Sequence, residues 1–206
     1  MDSSKRAVHW NEVYASKPAS HLSWFQAAAE PSMRMIRASG AAPDTGIIDI
    51  GGGASVLVDE LLAADFMDVS VLDIAETALE RTITRLGAGA AKVQWIVADI
   101  LSWTPQRSYA LWHDRAVFHF LTEEDDRAAY RAVLRQALKP GGTLIVAAFA
   151  ADGPERCSGL PVRRWSAETL EAEFGNEFRS TETSRQEHRT PWGALQPFTW
   201  ARLKKV

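Results

Sequence analysis

The chain predicts an α/β fold, a doubly wound and mostly parallel sheet with helices on both faces, and three observations carry that reading. Short apolar runs alternate with stretches of helical periodicity from residue 47 to residue 149, and such alternation builds parallel strands joined by crossover helices. Three of the runs carry an aspartate at or near their end, namely Asp49, Asp73 and Asp99. The first run breaks into Gly51-Gly52-Gly53, where the backbone can approach a ligand closely because no side chain intervenes.

Taken in order, residues 8–15 and 24–38 read as helices, separated by Lys17-Pro18, stopped by Gly40 and with Pro31 interrupting the second. Residues 47–50 form the first strand, and residues 54–64 the helix after the glycines. Ser55 offers a hydroxyl at the start of that helix, where unpaired N–H groups face outward. Strands at 69–73, 93–99 and 109–114 follow, with a helix at 75–86 and a connection containing Pro105. Thr122 and the acids after it predict a helix start, and Lys139-Pro140-Gly141-Gly142 its stop. Residues 143–149 are the fifth strand, 150–165 an irregular segment, and 166–174 a helix ended by Gly175. Residues 177–188 and 196–203 read as a hairpin at the sheet edge, where Pro197 is tolerable.

Composition narrows the function. The 206 residues allow one domain with a full core, at 46% apolar and 24% charged content. A formal charge of −3 argues against nucleic acid as a partner. One cysteine, Cys157, excludes an internal disulfide, and no apolar leader follows Met1, so a cytoplasmic location is expected. The longest apolar run, 144–151, is too short to span a bilayer as a helix, and no membrane partner is expected.

The motif set resembles the class I (Rossmann-like) S-adenosylmethionine-dependent methyltransferases over nearly the whole chain. Asp49-Ile50-Gly51-Gly52-Gly53 resembles their first motif, Asp73-Ile74 their ribose-binding acid, and Asp99-Ile100 their adenine-contacting pair. Leu138-Lys139-Pro140-Gly141-Gly142 resembles the stretch before their fifth strand, and the terminal hairpin completes a three-layer, seven-stranded sheet with an antiparallel C-terminal strand. Gly52 departs from the cysteine or serine many relatives carry. The resemblance implies one domain over 1–206, with a helical cap at 1–40 and a core at 46–206; within that core the segment 150–165, around Cys157, is too long for a mere connector and reads as a lid over the acceptor site. It implies S-adenosyl-L-methionine as cofactor and S-adenosyl-L-homocysteine as product. Asp49, Gly51, Gly52, Gly53 and Ser55 would hold the methionine end, Asp73 and Ile74 the ribose, and Asp99 and Ile100 the adenine. A sulfonium favours aromatic faces, and Trp10, Tyr14 and Trp24 are candidates to cover it. A similar Trp/Tyr pattern opens a branch containing protein-lysine methyltransferases, which adds protein lysine to a small molecule as an acceptor class.

For chemistry on the acceptor, Trp112-His113-Asp114-Arg115 ends strand four, with His119 one turn on. Asp114 and His119 are the candidate proton acceptors, and Asp114 is also a candidate cofactor contact. The bland alternative for Asp114 is a structural pairing with Arg115 or Arg127. No Asn/Asp-Pro-Pro-aromatic motif is present, which lowers amino groups of nucleic-acid bases and glutamine as acceptors. Cys157 reads as a small residue filling a turn rather than a nucleophile, and no metal site is expected. Arg189, after His188, is a candidate to recruit an anion, against a solvated hairpin. Two other functional classes fit in part. Gly51-x-Gly53 with Asp73 fits an NAD(P)-dependent oxidoreductase except at Val56, where a third glycine belongs, and a non-catalytic S-adenosylmethionine-binding module shares every cofactor residue.

Overall fold

The computed structural model describes residues 2–206. Its strands are β1 (Ile47–Ile50), β2 (Val69–Asp73), β3 (Val93–Val97), β4 (Tyr109–Arg115), β5 (Leu138–Phe149), β6 (Arg156–Cys157), β7 (Leu160–Pro161), β8 (Phe178–Arg189) and β9 (Leu195–Lys205). The helices are α1 (Ser3–Ser16), α2 (Glu30–Ala38), α3 (Leu57–Ala63), α4 (Glu76–Leu86), α5 (Glu124–Ala137) and α6 (Ala167–Phe174). Seven strands form one sheet in the order β3-β2-β1-β4-β5-β9-β8. The first five are parallel, and β9 runs antiparallel to both β5 and β8. Strand order reverses between β1 and β4, so a crevice opens beyond the C-terminal ends of these strands.

Side-chain alternation feeds two cores. Trp112, Leu144, Val146 and Ala148 pack with Tyr130 and Leu134 of α5 and Leu170 of α6 on one face. Their neighbours in the chain, Leu111, Ile145 and Ala147, pack with Met33 and Ile36 of α2 and Leu57 and Leu61 of α3 on the other. Period-two burial of both strand faces is why these runs are apolar throughout.

Several boundaries differ from the sequence expectation. Residues 24–29 are not helical; α2 starts at Glu30 with Pro31 in its first turn, where the missing N–H costs nothing. Helix α5 begins at Glu124, and the Thr122 hydroxyl bonds the Glu123 side chain rather than a helix amide. Strand β5 starts at Leu138, and the Lys139 to Gly142 stretch is an excursion within it: Tyr109 pairs Leu138, whereas Leu111 pairs Thr143. The terminal hairpin forms, but β9 is interior and β8 is the edge. Pro197 is tolerated there because its carbonyl accepts from Ala150 N past the end of β5, so its missing donor faces where that ladder has stopped. The irregular segment holds the short hairpin β6–β7, pinned by Arg163 N to His119 O at 2.8 Å and Trp165 N to Phe149 O at 2.8 Å.

Candidate active site

The crevice at the strand ends is a cleft of about 810 Å³ including its open mouth. Its floor is Ile50 and Gly51 from β1, Leu72, Asp73 and Ile74 from β2, and Ala98 to Leu101 after β3. Helix α1 forms one wall. It is docked on α4 by Asn11, whose side-chain oxygen accepts from Thr77 N at 3.1 Å and Thr77 Oγ1 at 2.8 Å, which satisfies a free amide in the first turn of α4. That docking brings Arg6, Trp10 and Tyr14 over the cleft. Trp10 packs edge-on to Trp24 at 5.9 Å and to Phe120 at 4.9 Å, and Tyr14 to Trp24 at 6.0 Å, so the cover is a connected aromatic cluster.

Only glycine fits the turn at the cleft floor. Gly51 has φ +66°, and a Cβ there would overlap Val117 Cγ2; one on Gly53 would lie 2.6 Å from Asp73 Oδ2 and 2.8 Å from the Tyr14 hydroxyl. The turn carbonyls are held from α4 by Thr82 Oγ1 to Gly53 O at 2.7 Å and Arg85 to Ser55 O at 2.6 Å.

The three acids differ in what they face. Asp73 lines the cleft, and one oxygen accepts from Ala75 N at 2.8 Å. Burial, aided by the negative Asp49 nearby, pushes its pKa up to about 7. Asp99 also lines the cleft and receives Arg6 Nη2 at 2.7 Å and Leu101 N at 3.0 Å. Burial alone would raise this carboxyl, but the Leu101 amide and the Arg6 side chain outweigh burial and hold it below the usual range. Asp49 does not line the cleft. It bonds His113 Nδ1 at 2.7 Å, His113 Nε2 bonds Ser32 Oγ at 2.9 Å, and this buried chain ties β1 to β4 and α2 beneath the glycine turn.

Of the residues singled out in the sequence, Trp10, Tyr14, Trp24, Gly51, Asp73, Ile74, Asp99 and Ile100 meet around one cleft. Gly52, Gly53 and Ser55 lie behind its surface, and Ser55 Oγ accepts from Leu57 N at 3.1 Å at the start of α3.

Asp114 and His119 are corrections. Asp114 is fully buried on the α5 face, where it accepts from Val117 N at 2.9 Å, Phe118 N at 3.3 Å and the Tyr130 hydroxyl at 2.7 Å; that hydroxyl accepts in turn from Trp112 Nε1. Its partner is therefore Tyr130, not Arg115 or Arg127, and it touches no cleft space. His119 is fully buried among Phe120, Phe149 and Phe198, and burial, with the Arg115 charge nearby, drops its pKa to about 3. A residue and its chain neighbour point to opposite faces of a strand, so Arg115 reaches the cleft and Asp114 does not.

The Asp114 network has a measurable role. Burial raises the Asp114 pKa to about 6 against the opposing Tyr130 hydrogen bond. Tyr130→Phe removes that donor, so the carboxyl of the folded state protonates more readily. The variant should lose about 1–3 kcal/mol, more above pH 6 than below it, with S-adenosylhomocysteine affinity unchanged. Melts at pH 5 and pH 8 with parallel calorimetry check this.

Arg6, Arg115, Val117 and Phe120 also line the cleft without a signal in the sequence, and Cys157 lines it from the segment expected as a lid. Cys157 reaches it from β6 with its Sγ 4.0 Å from Ser23 Oγ, and burial pushes its thiol up to about 11, away from a reactive thiolate. Arg189 bonds Gly193 O on the exposed hairpin turn and is not among the cleft residues.

Residues 47–142 match the family model described as a methyltransferase domain. A S-adenosylmethionine-dependent methyltransferase from Anabaena variabilis superposes with a TM-score of 0.75 at 18% identity, covering 99% of this chain and 95% of that one. The 1,6-didemethyltoxoflavin N1-methyltransferase of Burkholderia thailandensis, solved with its substrate and S-adenosylhomocysteine, gives 0.70 at 17% identity over 100% and 91%. The N-methyltransferase NodS of Bradyrhizobium japonicum gives 0.69 at 19% over 85% and 94%. At these identities the likeness is one of fold. No curated protein sequence matches the chain. Fold, sheet order and matched segment together define a Rossmann-like class I methyltransferase domain. Residues 47–142 are similar to a methyltransferase domain, and the chain has the fold of the S-adenosylmethionine-dependent methyltransferases of that class, which use S-adenosylmethionine as cofactor.

Proposed function

We propose that the protein transfers a methyl group from S-adenosylmethionine to an N, O or S nucleophile of a small molecule, within one domain whose residues 1–40 cap the cofactor. The observation that carries this reading is the row Asp99, Asp73 and Gly51 on the ends of three neighbouring strands, bordering one cleft under an aromatic cover. Asp73 receives the ribose hydroxyls on the carboxylate that lines the cleft. Asp99 and Ile100 face the adenine. Gly51 lets the methionine end lie against the backbone, and Asp49 supports that turn from beneath through His113. Bound S-adenosylmethionine supplies an electrophilic methyl on a sulfonium. Trp10, Tyr14 and Trp24 shield that cation with ring faces and exclude water, and the cleft aligns the acceptor in line with the methyl.

An oxidoreductase reading is weaker here. The amide of Leu57 at the start of α3 is already taken by Ser55 Oγ, and Val56 stands where a dinucleotide fold keeps glycine. Among the described residues no helix is long and apolar enough to cross a membrane. Protein lysine is the second acceptor class, on the similarity of the Trp10, Tyr14 and Trp24 pattern to that of the branch named above. Calorimetric titration with S-adenosylmethionine, S-adenosylhomocysteine and NAD tests the cofactor: micromolar binding of the first two is expected, and binding of NAD alone would refute the proposal. Mass spectrometry of reactions with thiols, amines, phenols, carboxylates and lysine peptides then separates an enzyme from a binding module.

A further inference from the structure

Arg115, at the end of β4, lines the cleft beyond β1, on the side away from Asp73 and Asp99. One nitrogen, Nη1, donates to Trp24 O at 3.0 Å. Its Nε and Nη2 are shut off from solvent and have no partner. The guanidinium lies 4.9 Å from the Phe198 ring centre. A second unpartnered donor flanks the same ring: His119 Nδ1 accepts from Phe149 N, so Nε2 carries the proton, and that atom too is buried without a partner.

A buried guanidinium is expected to have a hydrogen-bonded counter-ion, because an unpaired charge in an apolar setting loses hydration without recompense. The acid that acts on it is Asp49, which is already engaged by His113, and no ion pair links the two. Burial pulls the Arg115 pKa down to about 10, which still leaves it charged at neutral pH. Trp24, Phe120, Phe198 and Cys157 make the rest of this end apolar. The planar fork of arginine matches a carboxylate, with two parallel donors for two oxygens.

On the reading that the cleft binds S-adenosylmethionine, we infer that the methyl acceptor carries a carboxylate on an apolar or aromatic body, and that Arg115 holds that carboxylate. The acids serve the cofactor at one end, and the unpaired cation selects the acceptor at the other.

The test uses the full chain saturated with S-adenosylhomocysteine and three probes, benzoate, phenylacetate and 3-phenylpropionate, each beside its neutral amide. At least one acid should bind, at least about tenfold tighter than its amide. Arg115→Gln should weaken that acid about 30-fold or more, the usual scale for truncating one partner of a buried charge pair, with S-adenosylhomocysteine affinity unchanged within twofold. Arg115→Lys should recover part of the loss. The inference is overturned if no acid binds the loaded protein, if acid and amide bind alike, or if Arg115→Gln chiefly costs S-adenosylhomocysteine affinity, which would assign the arginine to the cofactor's own carboxylate. Failure of the wild type to bind S-adenosylhomocysteine at all sinks the cofactor reading instead.

Discussion

Asp73→Asn is expected to weaken S-adenosylhomocysteine binding about 100-fold or more while raising the melting temperature of the ligand-free protein. Both effects have one cause. Asparagine keeps the shape and still accepts from Ala75 N, but it cannot offer two anionic oxygens to a diol, and charge-assisted hydrogen bonds contribute roughly 1.5–3 kcal/mol each. The same carboxylate is a liability without ligand, because burial and the Asp49 charge raise its pKa to about 7. With the folded pKa raised above the unfolded one, the folded state binds the extra proton. The contribution to stability is complete below about pH 4 and is lost as pH rises through 7. Replacing Asp73 therefore relieves the folded protein most at pH 8, by a few kcal/mol on the order-of-magnitude scale of such a shift, and should raise the melting temperature by several degrees. Binding follows the opposite sense: on the proposed role of Asp73 the ionised carboxylate would accept from the ribose, so affinity should strengthen between pH 6 and pH 8 in the wild type and stay flat in the variant. Calorimetry at three pH values decides it, and a pH-independent wild type removes Asp73 from the ribose.

Gly51→Ala is expected to cost about 3 kcal/mol and to abolish measurable cofactor binding. An alanine at φ +66° is strained by roughly 1–2 kcal/mol, and the new methyl would overlap Val117 Cγ2, adding about 1–3 kcal/mol as overpacking does. The two costs are separable. Val117→Ala in the Gly51→Ala background removes the overlap and leaves the backbone strain, so the double variant should be more stable than the single one, recovering about half the loss. Thermal melts of the three variants measure the coupling. Additive effects would show that the β1 turn and Val117 do not meet as described.

Much of the fold was legible because it rests on local periodicity. The buried runs of β1, β2 and β4, the glycine turn and the Ser166 cap of α6, a capping box with Thr169, are all set within a few residues of chain. The first forty residues were less legible, since α1 is held by Asn11 on Thr77 and by Arg6 on Asp99, partners 66 and 93 residues away. No local pattern encodes such contacts. The site divided the same way. Asp73 and Asp99 sit at the mouths of their strands and border the cleft, whereas Asp49 and Asp114 look equivalent in the chain but turn inward onto His113 and Tyr130.

What the amino-acid order determined by itself was the alternation of strands and helices, the glycine turn that admits a ligand, and the class of cofactor its acids imply. Which acids border the cleft, and that Arg115 and Cys157 line its far end, was decided only when β4, β9 and the β6–β7 hairpin packed together. The physical reason is that a side chain's direction depends on which strand face and which neighbours enclose it, and those neighbours are brought together by long-range burial of apolar surface rather than by the residues beside it in the chain.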